Sequence, residues 1–123
     1  MKKGSKMNEG LGQKGEELAK EKLVKMGYKI LDRNFRCKIG EIDIIAKDKN
    51  TLVFVEVRSK SSNEFGVPQE TVNIKKQKRI RRVAEFYLIK NKLEDICCRF
   101  DIVAIIWQKN KKPKIEVIKD AFS

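Results

Sequence analysis

The sequence predicts an α/β fold, a mixed central sheet of about five strands flanked by helices. Three observations carry that reading. Apolar residues recur at three- and four-residue steps near the start of the chain and again after residue 73. Shorter stretches between and after these helical patterns read as strands. One of them, Leu52-Val53-Phe54-Val55, is apolar at every position, as in a central strand covered on both faces.

A chain of 123 residues has room for one core of ordinary size. Residues 1–8 read as a flexible basic arm and 9–123 as a single domain. A helix is expected from about Glu9, with Leu11, Gly15, Leu18, Ala19, Leu23 and Met26 on its apolar face. Lys22 interrupts that arc, and Glu16 projects at its border, beside Ala19 and Leu23. Gly27 stands where a left-handed cap belongs.

Residues 28–36 read as a strand suited to a sheet edge, followed by a short connection at 37–40. Residues 41–47 and 51–60 then form a hairpin around Asp48-Lys49-Asn50. Beyond Val55 the pattern changes to alternation through Glu56, Val57, Arg58, Ser59 and Lys60. This strand starts in the core and ends in polar surroundings. Residues 61–68 read as a loop broken by Gly66 and Pro68. Asn73 is a competent N-cap for a helix to about Lys90, whose core stripe is Ile80, Val83, Ala84, Tyr87 and Leu88. Residues 100–107 and 114–118 supply the last two strands.

Composition narrows the chemistry. With 29 Lys and Arg against 17 Asp and Glu, the net charge is +12, which suits a polyanionic partner. No apolar run approaches the ~18 residues of a membrane span, and the basic N-terminus lacks a signal-peptide core. Cys37, Cys97 and Cys98 form no CxxC pair, so neither a disulfide framework nor a thiolate zinc site is expected. The expected setting is reducing and cytoplasmic. Without histidine, imidazole bases and His-ligated metals are excluded, which leaves carboxylates, lysines and oxygen-bound cations such as magnesium.

Alternation along residues 41–44 puts Glu41 and Asp43 on one face and Ile42 and Ile44 on the other. By the same rule Glu56, Arg58 and Lys60 share a face. Hairpin pairing would bring Asp43 close to Glu56, with the two cations just beyond. Such a set could hold magnesium and a phosphate, or could be cross-strand ion pairs worth ~0.2–1 kcal/mol each.

Several segments stand out in order along the chain: Gly15-Glu16, Gly27-Tyr28, Arg33-Asn34, Gly40-Glu41-Ile42-Asp43-Ile44-Ile45-Ala46 and Val53-Phe54-Val55-Glu56-Val57-Arg58. Phe65-Gly66, Arg99-Phe100-Asp101-Ile102-Val103 and Ile118-Lys119-Asp120-Ala121-Phe122 follow. In these segments, and in their order, the chain resembles the YraN-like family of small bacterial proteins. That family is similar to archaeal Holliday-junction resolvases, with the restriction endonuclease-like fold and the PD-(D/E)xK nuclease signature. The resemblance implies that Asp43 and Glu56 bind the metal, Mg2+ or Mn2+, with Glu16 and the Val57 carbonyl as further ligands. Arg58 stands where the motif has lysine. It stays protonated, so it cannot be a base, yet it can hold a phosphate bidentately, with Lys60 as a partial substitute.

Six of the eight residues from Lys75 to Arg82 are basic. Lys75, Lys76, Lys78, Arg79 and Arg82 are candidate phosphate contacts, with a solvated helix face as the alternative. Phe65 is the one exposed candidate for stacking on a base, with packing in the core as the equal alternative. The expected function is a magnesium-dependent endonuclease acting on DNA, including branched or structured DNA. A catalytically inactive nucleic-acid-binding protein of the same fold is the alternative, and an RNA- or ribosome-associated basic protein is a third. Two cuts at a four-way junction would suit a homodimer, although no segment identifies an interface.

Overall fold

In a computed structural model that describes residues 6–61 and 72–122, the chain forms two helices and five strands. Helix α1 (Lys6–Lys25) precedes strands β1 (Lys29–Arg36), β2 (Glu41–Asp48) and β3 (Thr51–Ser61). Helix α2 (Ile74–Lys90) then leads to β4 (Cys97–Trp107) and β5 (Lys114–Phe122). The strands lie in the order β1-β2-β3-β4-β5. Only the β3–β4 pair is parallel, so the sheet is mixed as expected, with β3 at its centre and β1 at an edge. Residues 1–5 of the expected basic arm lie outside the described residues, as do 62–71 with Phe65, Gly66 and Pro68.

Local chemistry sets the helix ends. Asn73 caps α2 by accepting the Lys76 amide on its side-chain oxygen at 2.9 Å. At the end of α1, Gly27 takes φ +97°, and the Tyr28 amide donates back to the Leu23 carbonyl at 2.9 Å. That closure satisfies a carbonyl the helix would otherwise leave unpaired.

Two cores flank the sheet, and β3 feeds both. Leu52 and Phe54 pack with Ile45, Ile102 and the α2 stripe of Ile80, Val83, Ala84 and Tyr87. Val53 and Val55 pack on the other side with Ile44, Ala46, Val103, Ile105 and the α1 residues Ala19 and Leu23. A strand loaded on both faces shows no alternation, which is why this stretch reads as continuously apolar.

Several boundaries differ from the sequence expectation. Helix α1 begins at Lys6 rather than near Glu9, and Met26, assigned to its apolar face, is exposed. Strand β4 begins at Cys97, because the parallel ladder with β3 already pairs Cys97 with Thr51. Strand β5 runs on to Phe122 through a bulge at which Asp120 adopts φ +54°. The charged pair Lys119-Asp120 hides this extension, since a bulge breaks the two-residue period. Ile42 and Ile44 were expected on one face, but Ile42 packs in the α2-side core and Ile44 in the α1-side core. The alternation breaks at Asp43, whose side chain has another partner.

At the hairpin end of the sheet, Asp101 on β4 is fully buried and fully bonded. It accepts from the Tyr28 hydroxyl at 2.9 Å, Arg99 Nε at 2.8 Å and the Asp120 amide at 3.0 Å. The Arg99 guanidinium also reaches Asp48 at 3.0 Å and the Tyr28 oxygen at 2.7 Å. One carboxylate thus ties the start of β1 and the β2–β3 turn to β4 and β5. Burial, followed by the hydrogen bond to Asp101, pushes the Tyr28 phenol well above its usual range. Asp101→Ala would remove one of the two carboxylates that neutralise Arg99 and the acceptor of the Tyr28 hydroxyl and the Asp120 amide, at an expected cost of about 3–5 kcal/mol in urea unfolding. Tyr28→Phe, which deletes one hydroxyl, should cost about 1–3 kcal/mol in the same measurement.

Candidate functional site

The β2–β3 ladder runs from Asp48–Thr51 to Ile44–Val55 and stops there. The next residues along the same register are Asp43 and Glu56, and neither joins the ladder. Instead the Asp43 Oδ2 accepts the Val57 amide at 2.8 Å. A side-chain oxygen replaces the backbone carbonyl that would continue the hairpin, so the strands part and a polar cavity opens.

That cavity, about 440 Å³, is lined by Asp43, Glu56, Glu41, Arg36, Lys76 and Arg79, with Cys37, Gly40 and Ile80. Strand β3 carries Glu56 to it from the core, leaving its side chain only 7% exposed. Helix α2 supplies the counter-charge: Lys76 Nζ lies 2.7 Å from Glu56 Oε2. At that length the contact is a charge-assisted hydrogen bond. Arg58 makes a looser pair with the same oxygen at 3.6 Å.

Asp43 lines the same cavity and faces this acid. Burial first, and then the facing Glu56 charge, push its carboxyl from 3.8 up to about 7, although the Val57 hydrogen bond pulls the other way. Glu16 and Glu41 add smaller repulsions. Glu16 comes from α1, which packs on the other face of the sheet from α2. Gly15 lets that helix approach closely, for a Cβ there would come within 2.8 Å of Ser59 Oγ.

The sequence-derived candidates therefore fall into two groups. Asp43, Glu56, Lys76 and Arg79 line one cavity. Arg58 touches the cavity through Glu56, Val57 through its amide, and Glu16 through its charge on Asp43. Lys60 lies two residues beyond Arg58 on β3 and does not line the cavity. Among the described residues, no three His, Cys, Asp or Glu side chains converge as a ready metal cage. Two facing carboxylates are nevertheless a sufficient protein contribution for magnesium, which keeps several of its waters. Their oxygen donors, and the unrelieved repulsion at Asp43, fit a hard divalent cation.

A second cavity of about 500 Å³ adjoins the first and shares Arg79 with it. Its described lining is Lys38, Ile39, Lys75, Lys78, Arg79 and Arg82: five cations and no acid. The α2 residues are spaced at three and four positions, so they project from one helical face. Lys38 was not among the expected contacts. It sits in the 37–40 connection, where one lysine gives no periodic signal, and only the packing of Gly40 against Arg79 brings it to the helix.

The sequence profile described as "Uncharacterised protein family UPF0102" matches residues 15–105. The chain is 50% identical to a UPF0102 protein of Caldicellulosiruptor saccharolyticus over 113 residues, 91% of this chain and 96% of that one. It is 48% identical to a UPF0102 protein of Geotalea daltonii over 119 residues, covering 97% and 94% of the two chains. Among the described residues, no helix is long and apolar enough to cross a membrane.

The Asp43 shift makes a stability prediction for metal-free protein. A proton held up to about pH 7 in the fold, but only to about 3.8 in the unfolded chain, stabilises fully at low pH. That contribution is lost as pH rises from about 4 to about 7. Asp43→Asn keeps an acceptor for the Val57 amide and removes the charge. In EDTA it should flatten this fall and raise Tm at pH 8 by several degrees in calorimetry. An unchanged pH profile would place the effect elsewhere.

Proposed function

The chain belongs to UPF0102, the YraN-like family, and we propose that it is a magnesium-dependent endonuclease acting on the phosphodiester backbone of DNA. The observation that carries this reading is one residue, Arg79, shared between the carboxylate cavity and the five-cation cavity. A backbone held on Lys38, Lys75, Lys78 and Arg82 would be led by Arg79 toward Asp43 and Glu56. The parting of β2 from β3 gives the scissile phosphate somewhere to enter.

Asp43 and Glu56 would hold the metal, with the Val57 carbonyl as a further oxygen donor. When bound, the ion supplies Lewis acidity toward a phosphoryl oxygen and lowers the pKa of a coordinated water. Arg58 stays cationic and, from its position beside Glu56, would bind a non-bridging phosphate oxygen and stabilise its developing charge. The cations of α2 and Lys38 hold the backbone without reading bases, so recognition would rest on DNA shape. Similarity to archaeal Holliday-junction resolvases, expected from the motifs, makes branched DNA the first substrate to try, and a homodimer the arrangement suited to paired cuts.

A second reading has its own support. Arg58 replaces the motif lysine, and Lys76 already neutralises Glu56, an arrangement that suits a nucleic-acid-binding protein without chemistry.

Cleavage of linear, single-stranded, flapped and four-way-junction DNA in magnesium, manganese or EDTA separates the two. Metal-dependent cutting should fall to the EDTA level in Asp43→Ala and Glu56→Ala, with DNA binding in EDTA intact or tighter in both. Binding without cutting in every metal would select the second reading. For the cradle, Lys38→Ala and Arg82→Ala should each weaken binding to all sequences alike. Each should also reduce the slope of log K against log salt by about 1.

A further inference from the structure

Lys76 stands apart from the other cations of α2. Lys75, Lys78, Arg79 and Arg82 line the five-cation cavity, whereas Lys76 lines the carboxylate cavity and its ammonium is taken by Glu56 at 2.7 Å. Its side chain is 38% exposed, and its backbone amide is fixed by the Asn73 cap. A rigidly anchored residue thus carries a flexible four-carbon stem at the boundary between a carboxylate and a phosphate-binding surface.

From this geometry we infer that Lys76 is an exchangeable counter-ion that couples the metal site to DNA binding. The inference rests on the reading of Asp43 and Glu56 as metal ligands. In the resting protein Lys76 neutralises Glu56, and its charge is withheld from DNA. A cation accepted by Asp43 and Glu56 would compete with the ammonium for the Glu56 carboxylate. Lys76 then turns to the neighbouring phosphate, where Arg79 already points the backbone at the cavity. Arg58 cannot play this part. Its pair with Glu56 is looser, at 3.6 Å, and the guanidinium lies on the same strand as the carboxylate rather than on the helix that bears the cradle. The coupling is reciprocal: what metal does for DNA affinity, DNA does for metal affinity.

Fluorescence anisotropy of a labelled four-way junction, in EDTA and in Ca2+ as a non-cutting probe, tests this without any turnover. Calcium should tighten junction binding by wild-type protein severalfold, and that factor should drop at least threefold in Lys76→Met. Calcium binding to the free protein should tighten in the same variant, because its competitor is gone. A cycle in EDTA tests the release directly. Glu56→Gln should tighten junction binding, and most of that gain should vanish when Lys76→Met is added. Thermal melts check that every variant is folded, and Lys76→Arg should recover most of the coupling.

Equal weakening by Lys76→Met in Ca2+ and in EDTA would make Lys76 an ordinary phosphate contact and overturn the inference. So would a Glu56→Gln gain of the same size with and without Lys76. If junction-bound wild type takes up no calcium that Asp43→Asn abolishes, the metal reading itself fails and takes the exchange with it. Metal uptake that depends on Asp43 but shows no Lys76-dependent coupling defeats only the exchange.

Discussion

The hydrogen bond from the Val57 amide to Asp43 is the constraint on which the site depends. Strand β3 remains paired with β4 over its whole length, from Thr51–Cys97 to Ser61–Trp107. Its pairing with β2 stops at Ile44–Val55. The sheet therefore divides between β2 and β3 while β3 itself stays rigid, and Glu56 sits at the division on a strand that cannot yield. A cavity opened by a side chain taking over a ladder bond gets its walls from regular secondary structure, the kind of support that holds reactive groups in place.

The two ends of the sheet treat the same residue type in opposite ways. Asp101 is sealed among a tyrosine hydroxyl, a guanidinium and a backbone amide, and Arg99 carries that neutralisation on to Asp48. Asp43 has one amide and faces another acid. A saturated carboxylate holds strands together. An undersatisfied one, beside a cavity, is where a ligand would lower the energy most. The contrast separates two acids that both sit in apolar strand sequence, Asp101 fully buried and Asp43 only partly.

Much of this was legible before any coordinates. Five strands with helices on the faces of their sheet followed from apolar runs such as Leu52–Val55 and from two helical periods, the strand order followed from the family resemblance, and Asn73 announced its helix. The approach of Asp43 to Glu56 followed from hairpin pairing. What stayed hidden depends on departures from period or on contacts distant in sequence. The bulge at Asp120 concealed the end of β5, and the turn of Asp43 toward Val57 sent Ile42 and Ile44 into different cores. Lys76 was legible as one cation in a basic run. That it faces Glu56 rather than the cradle is a matter of helix placement, which spacing cannot supply.

That placement follows from topology. A parallel β3–β4 pair needs a crossover, and α2 provides it, running back along the sheet against the direction of β3. Lys76 accordingly meets Glu56, while Tyr87, three turns later, meets Phe54 nearer the start of the strand. The basic first half of α2 is thereby delivered to the open end of the sheet, and its apolar second half to the core. The same first half violates a local rule. The positive end of the helix dipole carries cations and no acid in its first turn, a mismatch of about 0.3–1 kcal/mol for each charge close to the terminus. Among the described residues, Glu56 relieves it for Lys76. On the proposed reading, a phosphate backbone would bring Lys75, Lys78 and Arg79 an anion at every step. A helix whose charge order opposes its own dipole, laid beside two facing carboxylates, is a local inconsistency of the kind that marks a binding surface rather than a stabilising one.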